Sequence, residues 1–244
     1  MTYYYKGFPQ STRDEVLHMV NVEELARKAK DVMPEAAYYY VASGAENEWT
    51  WRANTSAFNH YQIIPRALTN MSHPQLDTEF MGMKLKTPVM IAPIACHGIA
   101  NKTAEVGTQK GAAAAGALFS SSTYANKGVE DIAAAAPNAP RYFQLYLSKD
   151  WKFNRMVFDA IKKTGYKGIW LTVDALVSGY REANIRTHFT YPVPLDFFTR
   201  YLGGKGEGQT VAQMYAASAQ KIGPKDVQRI KDESGLPVFI KGIT

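Results

Sequence analysis

Apolar and polar positions change rhythm once along the chain. In the first third the apolar residues recur at helical spacing, over Val22 to Lys30 and over Pro34 to Ala42, and ENEWTWRANTSAFNHY from Glu46 to Tyr61 reads as a third helix. No strand is expected there. From Thr87 onward short apolar runs alternate with helix-like segments: PVMIAPIA, ALFSSST, RYFQLY, GIWLTVDA and LPVFIKG. These predict five buried strands. The first four are centred near residues 92, 120, 144 and 171, a spacing of roughly 25 residues that accommodates one strand, one helix and two loops.

The runs are continuous rather than alternating, so both faces of each strand are expected to be covered, as in a barrel or a doubly wound sheet. No GxGxxG follows the first strand. Polar side chains gather instead where strands end, at Ser122 and Tyr124, Gln144 and Tyr146, Thr172 and Asp174, and Lys241, and a (β/α)8 barrel collects its chemistry at those ends. The predicted fold class is therefore α/β, a TIM barrel with an N-terminal helical extension over residues 1–85 and about five barrel strands over residues 86–244. An insertion at about 176–217, rich in aromatics, Pro and Gly, is far longer than an ordinary βα loop and reads as a lid or an interface. Closing eight strands would take three more βα units than the sequence shows.

Composition narrows the setting. The 244 residues are 46% hydrophobic and 20% charged, enough to bury a core, and the net charge of +6 suits an anionic small molecule without a basic run that could track nucleic acid. The single cysteine, Cys96, forms no intrachain disulfide, and MTYYYKGFPQSTRDE has neither the basic nor the apolar region of a secretory signal. The stretch GAAAAGALF is too short to span a bilayer. A cytoplasmic protein that binds neither nucleic acid nor membrane is expected.

The strand-end residues Ser122, Gln144, Thr172 and Lys241 combine hydroxyl, amide and ammonium groups that could grip the edge of a planar heterocycle. Each could alternatively satisfy backbone groups at a strand end, and a desolvated Lys241 could be a Schiff-base nucleophile. Arg181 follows Asp174 closely enough to border the same cavity and is suited to a carboxylate, unless it forms a surface ion pair. Tyr40, Tyr124, Tyr146, Tyr191 and Tyr215 could add hydroxyls, although a chain with 15 tyrosines buries several for packing alone. A general base near neutral pH would most naturally be histidine. Among His18, His60, His73, His97 and His188 only His97 is well placed, and it reads as a loop histidine bonded locally. No metal-ligand spacing is present.

Five ordered segments, ASGAENEWTWRAN, IAPIACHG, RYFQLY, LTVDALVSGYREANIR and LPVFIKGI, together with YAAS around Tyr215, resemble the FMN-dependent α-hydroxy-acid oxidases and dehydrogenases. The bacterial L-lactate oxidases are the most similar branch. The resemblance implies FMN as cofactor, with Pro93, Ile94 and Ala95 beside the flavin N5 edge, Ser122, Gln144 and Thr172 on the ring, and Lys241 at its N1 and C2 carbonyl. Tyr40, Tyr146 and Arg181 would hold the substrate carboxylate and hydroxyl, with Tyr124 also in the pocket. Tyr191 and Tyr215 would control access, and Asp174 would orient a catalytic histidine. Asp174, Tyr146 and Lys241 are thus the implied catalytic groups, acting on a small L-2-hydroxy acid and O2, most closely L-lactate, with glycolate, mandelate or a non-catalytic fragment as the alternatives. A homo-oligomer, a tetramer by resemblance, is implied as well. Cys96, Asn184 and Thr187 depart from the family pattern. The family's catalytic histidine, second arginine and phosphate-binding loops are expected beyond Thr244.

Overall fold

A computed structural model describes residues 19–196 and 208–243. Three helices open the described residues: α1 (Val22–Val32), α2 (Glu35–Ala42) and α3 (Trp49–Ser56), the last running into a 3-10 turn over Ala57–His60. Asn21 caps α1 by accepting the Glu24 N–H at 2.9 Å, and Glu23, Glu24 and Lys30 complement its dipole. Val22, Leu25 and Val32 stay exposed on α1, as do Phe58, Tyr61, Ile63, Ile64 and Leu68 farther along.

The expectation of no strand before Thr87 is corrected by an antiparallel hairpin, β1 (Thr78–Phe80) and β2 (Met83–Leu85), turning through Met81 and Gly82. Each strand has three residues, too few for a period to register in the sequence. The hairpin plugs one end of the main sheet, where Phe80 lies 5.6 Å from Phe239 and 5.9 Å from Tyr142, ring centre to ring centre.

The five predicted strands are all present and parallel: β3 (Met90–Ile91), β4 (Leu118–Ser121), β5 (Arg141–Leu145), β6 (Ile169–Thr172) and β7 (Val238–Lys241), in the spatial order β3-β4-β5-β6-β7. Helices α4 (Ala104–Ala115), α5 (Val129–Ala135) and α6 (Trp151–Lys163) make the crossovers between successive strands up to β6. Beyond β6 come α7 (Glu182–Arg186), α8 (Val211–Ala216) and α9 (Pro224–Ser234), and α9 leads into β7. Start and stop signals are local: Asp150 caps α6 through the Lys152 N–H, while Pro224 opens α9 and Gly235 closes it at φ 65°.

Full coverage of both faces holds for β4 and β5, whose residues are all buried. It does not hold at the edges. β3 and β7 are only partly buried because each has a neighbour on one side among the described residues. The insertion over 176–217 is partly core rather than a free loop, since Phe189, Tyr191, Val193, Leu195 and Met214 are buried. Its residues 197–207 and His18 lie outside the described residues.

Candidate active site

Side chains two apart on a strand share a face, and alternate residues on one face of the sheet form two layers, stepped by two residues between β5 and β6, where the register sets Trp170 opposite Gln144 rather than Tyr142. Toward the strand starts lie Ser120, Tyr142, Trp170 and Phe239, with Trp170 Nε1–H donating to Ser120 Oγ at 3.0 Å and its ring 5.0 Å from Phe239. Gly168 sits where a Cβ would come within 2.7 Å of the Tyr142 ring, so this layer needs glycine there. Two residues farther along each strand stand Ser122, Gln144, Thr172 and Lys241.

Gln144 organises that second layer. Its Oε1 accepts from the Ser122 hydroxyl and the Thr123 N–H, both at 3.3 Å, and its Nε2 donates to Thr172 Oγ1 at 2.8 Å. All three side chains are buried. The Lys241 ammonium stands 3.8 Å from the Asp174 carboxylate, with side-chain exposures of 42% and 49%, so the pair is wet and available to a ligand. Gly242 at φ 108° permits the approach, because a Cβ there would lie 2.4 Å from Asp174 Cγ. A buried amide between two hydroxyls, with a cation at one end, has the donor and acceptor pattern that the polar edge of an isoalloxazine ring requires. The residues present therefore fit a flavin ring.

The five tyrosines are brought together. Tyr40 and Tyr191 share a hydroxyl hydrogen bond of 3.0 Å, and Tyr146 and Tyr215 share one of 3.1 Å. Tyr124 stacks on Tyr146 at 5.0 Å and donates its O–H to the Met214 carbonyl at 3.3 Å. Burial pushes the phenols of Tyr40, Tyr124, Tyr146 and Tyr191 well above the ordinary tyrosine value. They stay protonated donors at neutral pH. Phe189 packs flat on Tyr40 at 4.4 Å and fixes its ring.

Arg181 is more engaged than its sequence context suggests. Its Nη2 donates to the carbonyls of Tyr40 and, at 2.8 Å, Ser43, closing the C-terminal end of α2, and its guanidinium lies 5.1 Å from the Tyr40 ring centre. Pro93, Ile94 and Ala95 follow β3 as irregular backbone, with Ile94 exposed.

Among the described residues the histidines offer no base to this pocket. His97 Nδ1 bonds Thr108 Oγ1 at 2.8 Å, and burial holds its imidazole below the ordinary value against the opposing pull of Glu105. His60, His73 and His188 are exposed. Sequence reasoning missed Glu105, a fully buried carboxylate behind the Pro93–Ala95 segment. Its position in the alanine-rich AEVGTQKGAAAA gives no signal beyond that of an ordinary charge in the first turn of a helix.

The sequence matches the family described as FMN-dependent dehydrogenase over residues 29–244. It is 73% identical over 243 residues to an L-lactate oxidase of Lactobacillus jensenii, covering 100% of this chain and 60% of that protein. It is also 35% identical to glycolate oxidase 1 of Zea mays, covering 92% of this chain and 62% of that one. Among solved structures, a Pediococcus acidilactici protein described as a lactate oxidase superposes with a TM-score of 0.92 at 44% identity, covering 98% of this chain and 64% of that one. A mandelate oxidase superposes with a TM-score of 0.84 at 25% identity, covering 92% and 64%. The five parallel strands are consecutive strands of a (β/α)8 barrel. The chain spans about three fifths of the length of the curated relatives it matches, 60% in the first case.

Proposed function

The chain belongs to the FMN-dependent dehydrogenase family, and from that premise we propose that it oxidises a small L-2-hydroxy acid with FMN, converting L-lactate and O2 to pyruvate and hydrogen peroxide. The observation that carries this reading is the buried Ser122–Gln144–Thr172 chain with Lys241 at its end, set beneath a cluster of protonated tyrosines. The choice of lactate draws its support from the L-lactate oxidase of Lactobacillus jensenii at 73% identity, against 35% for the Zea mays glycolate oxidase.

In this reading Ser122, Gln144 and Thr172 hold the ring by its polar edge, and Pro93, Ile94 and Ala95 back its N5 side. FMN held there would supply the two-electron redox chemistry that couples oxidation of the substrate at C2 to reduction of O2. Lys241 faces the ring edge where negative charge builds on reduction, and a preplaced ammonium stabilises that charge without reorganising. Arg181 and the Tyr40 and Tyr146 hydroxyls bind the carboxylate and hydroxyl of the acid, and Tyr124 lines the same space. Tyr191 and Tyr215, each bonded to one of those tyrosines, belong to the insertion over about 176–217 and control entry. Asp174 orients the base, by resemblance a histidine that the family carries, with a second arginine, on its C-terminal segment.

The working form is proposed to be a cytoplasmic homo-oligomer, a tetramer by family resemblance, with residues 1–85 as an N-terminal extension to the barrel segment 86–244. No described helix is long and apolar enough to cross a membrane. The exposed Phe58, Tyr61, Ile63 and Leu68 support an interaction surface. The test is flavin uptake followed by lactate-dependent peroxide release, measured on the chain extended by the C-terminal segment of the Lactobacillus jensenii relative. Flavin uptake with oxidation of glycolate or mandelate in preference to lactate would replace the substrate; no flavin uptake by a folded protein would end the reading.

A further inference from the structure

We propose that Glu105 is a positioning residue: its buried carboxylate holds the Pro93–Ala95 segment in its cofactor-facing shape and ties that segment to the base of the insertion. The role toward the cofactor rests on the flavin reading above; the tie between loops rests on this chain alone.

Three successive amides after Ala95 point inward at three different acceptors. The Cys96 N–H donates to the Tyr124 carbonyl at 3.0 Å, the His97 N–H to Glu105 Oε1 at 3.0 Å, and the Gly98 N–H to Asn126 Oδ1 at 2.6 Å. Cys96 itself is held at φ 57°, a left-handed conformation that costs a non-glycine residue about 1 kcal/mol and so requires the surroundings to impose it. The same Glu105 carboxylate reaches the loop after β4, where Oε1 accepts the Asn126 N–H and Oε2 the Lys127 N–H, both at 3.1 Å. From that loop the tie continues outward: Asn126 Nδ2 donates to the Pro194 carbonyl at 2.8 Å, and the Gly128 N–H donates to Asp196 Oδ2 at 3.0 Å. Pro194 and Asp196 lie three and five residues past Tyr191, which bonds Tyr40.

Glu105 is fully buried, and its hydrogen bonds come from backbone N–H groups. A buried carboxylate is costly unless such donors solvate it. Here the donors come from two loops, so neither loop can move without uncovering the charge. Glutamine could replace only half of this arrangement. Its oxygen would still accept from His97 and Asn126, but its NH2 would face the Lys127 N–H, donor against donor.

Hydrogen exchange on the intact chain, with and without FMN, reads this directly in Glu105→Gln and Glu105→Ala. In Glu105→Ala, amides at 96–98 and 126–128 should exchange about tenfold faster or more, the scale of losing a buried charge-assisted bond. Residues 189–195 should follow, while β5 and α6 keep wild-type protection. In Glu105→Gln the acceleration should centre on 127–128, which keeps the test decisive if the alanine variant does not fold. FMN affinity should fall about tenfold in Glu105→Ala and less in Glu105→Gln, in the order of the loop exchange. Uniform acceleration that includes β5 and α6, or no change at the two loops, overturns the positioning role. Loosened loops with unchanged FMN affinity overturn the link to the cofactor segment. If the chain extended by the C-terminal segment of the Lactobacillus jensenii relative takes up no FMN, the flavin reading fails by itself, and the exchange pattern still decides whether Glu105 ties the loops.

Discussion

Gln144 on β5 donates its side-chain Nε2–H to Thr172 Oγ1 on β6 at 2.8 Å, while its Oε1 accepts from Ser122 Oγ beyond β4. One amide thus sets the hydroxyl orientations on both neighbouring strands. Gln144→Leu should leave the Ser122 hydroxyl and the Thr123 N–H without their shared acceptor, destabilising the fold by about 2 kcal/mol. Flavin binding should weaken in parallel. A urea midpoint and a flavin fluorescence titration on the same sample check both; a stability loss with unchanged flavin affinity would separate Gln144 from the ring.

Lys241→Met should behave in the opposite way. The Lys241–Asp174 pair is long and half exposed, at 3.8 Å with 42% and 49% exposure, so breaking it should cost no more than about 1 kcal/mol of stability. The flavin midpoint potential should nevertheless fall, because negative charge on the reduced ring loses its cation. A redox titration decides this, and an unchanged potential would mean that Lys241 does not face the ring.

Arg181→Lys keeps a charge but loses the fork. Because Arg181 also closes α2 through the Tyr40 and Ser43 carbonyls, the variant should both raise KM for lactate and loosen α2. The combined loss in kcat/KM is expected at about 2 to 4 kcal/mol, the range for truncating a buried charge-assisted pair. Stopped-flow flavin reduction gives the kinetic part, and hydrogen exchange over residues 35–43 gives the structural part. Wild-type reduction together with loosened exchange would leave Arg181 as a helix clamp only.

On the outer surface, Glu233 of α9 is gripped by Arg155, by the Trp151 indole N–H and by Arg229, at 2.7, 2.8 and 2.9 Å. The Arg155 bond first, then those of Trp151 and Arg229, pull its carboxyl down to about 2. A lowered carboxylate value stabilises the fold fully above its ordinary value near 4.5 and loses that contribution as pH falls toward 2. Glu233→Gln should therefore flatten the acid limb of thermal stability in that window and reduce its salt dependence. An unchanged limb would show that the α6–α9 contact does not depend on the charge.

The barrel strands were legible because a run such as GIWLTVDA is apolar on both faces and bounded by turns. The two layers within each run were not read as such, yet Trp170 below and Thr172 above differ by one step of the strand period. Ser122, Gln144, Thr172 and Lys241 stood out because polar residues at the ends of apolar strands are conspicuous. The tyrosine pairings were beyond reach: Tyr40 and Tyr191 are 151 residues apart and meet only because the insertion folds back on α2. Glu105 was invisible for a different reason. Nothing in a helix's first turn distinguishes a solvated carboxylate from one buried under two loops; the difference lies in where those loops close.

The most direct measurement compares peroxide release from L-lactate by the 244-residue chain with that by the same chain fused to the C-terminal segment of the Lactobacillus jensenii L-lactate oxidase, both supplied with FMN and checked for intactness by mass spectrometry. Among the described residues His97 is tied to Thr108 and the other histidines are exposed, so turnover without an added base should be lower by about 10² to 10⁴. The fusion should be coloured and oxidise lactate, its flavin bleaching under anaerobic lactate, and the shorter chain should give no lactate-dependent peroxide. A folded, flavin-loaded fusion that lactate does not reduce would contradict this, as would ordinary oxidase turnover by the 244 residues alone.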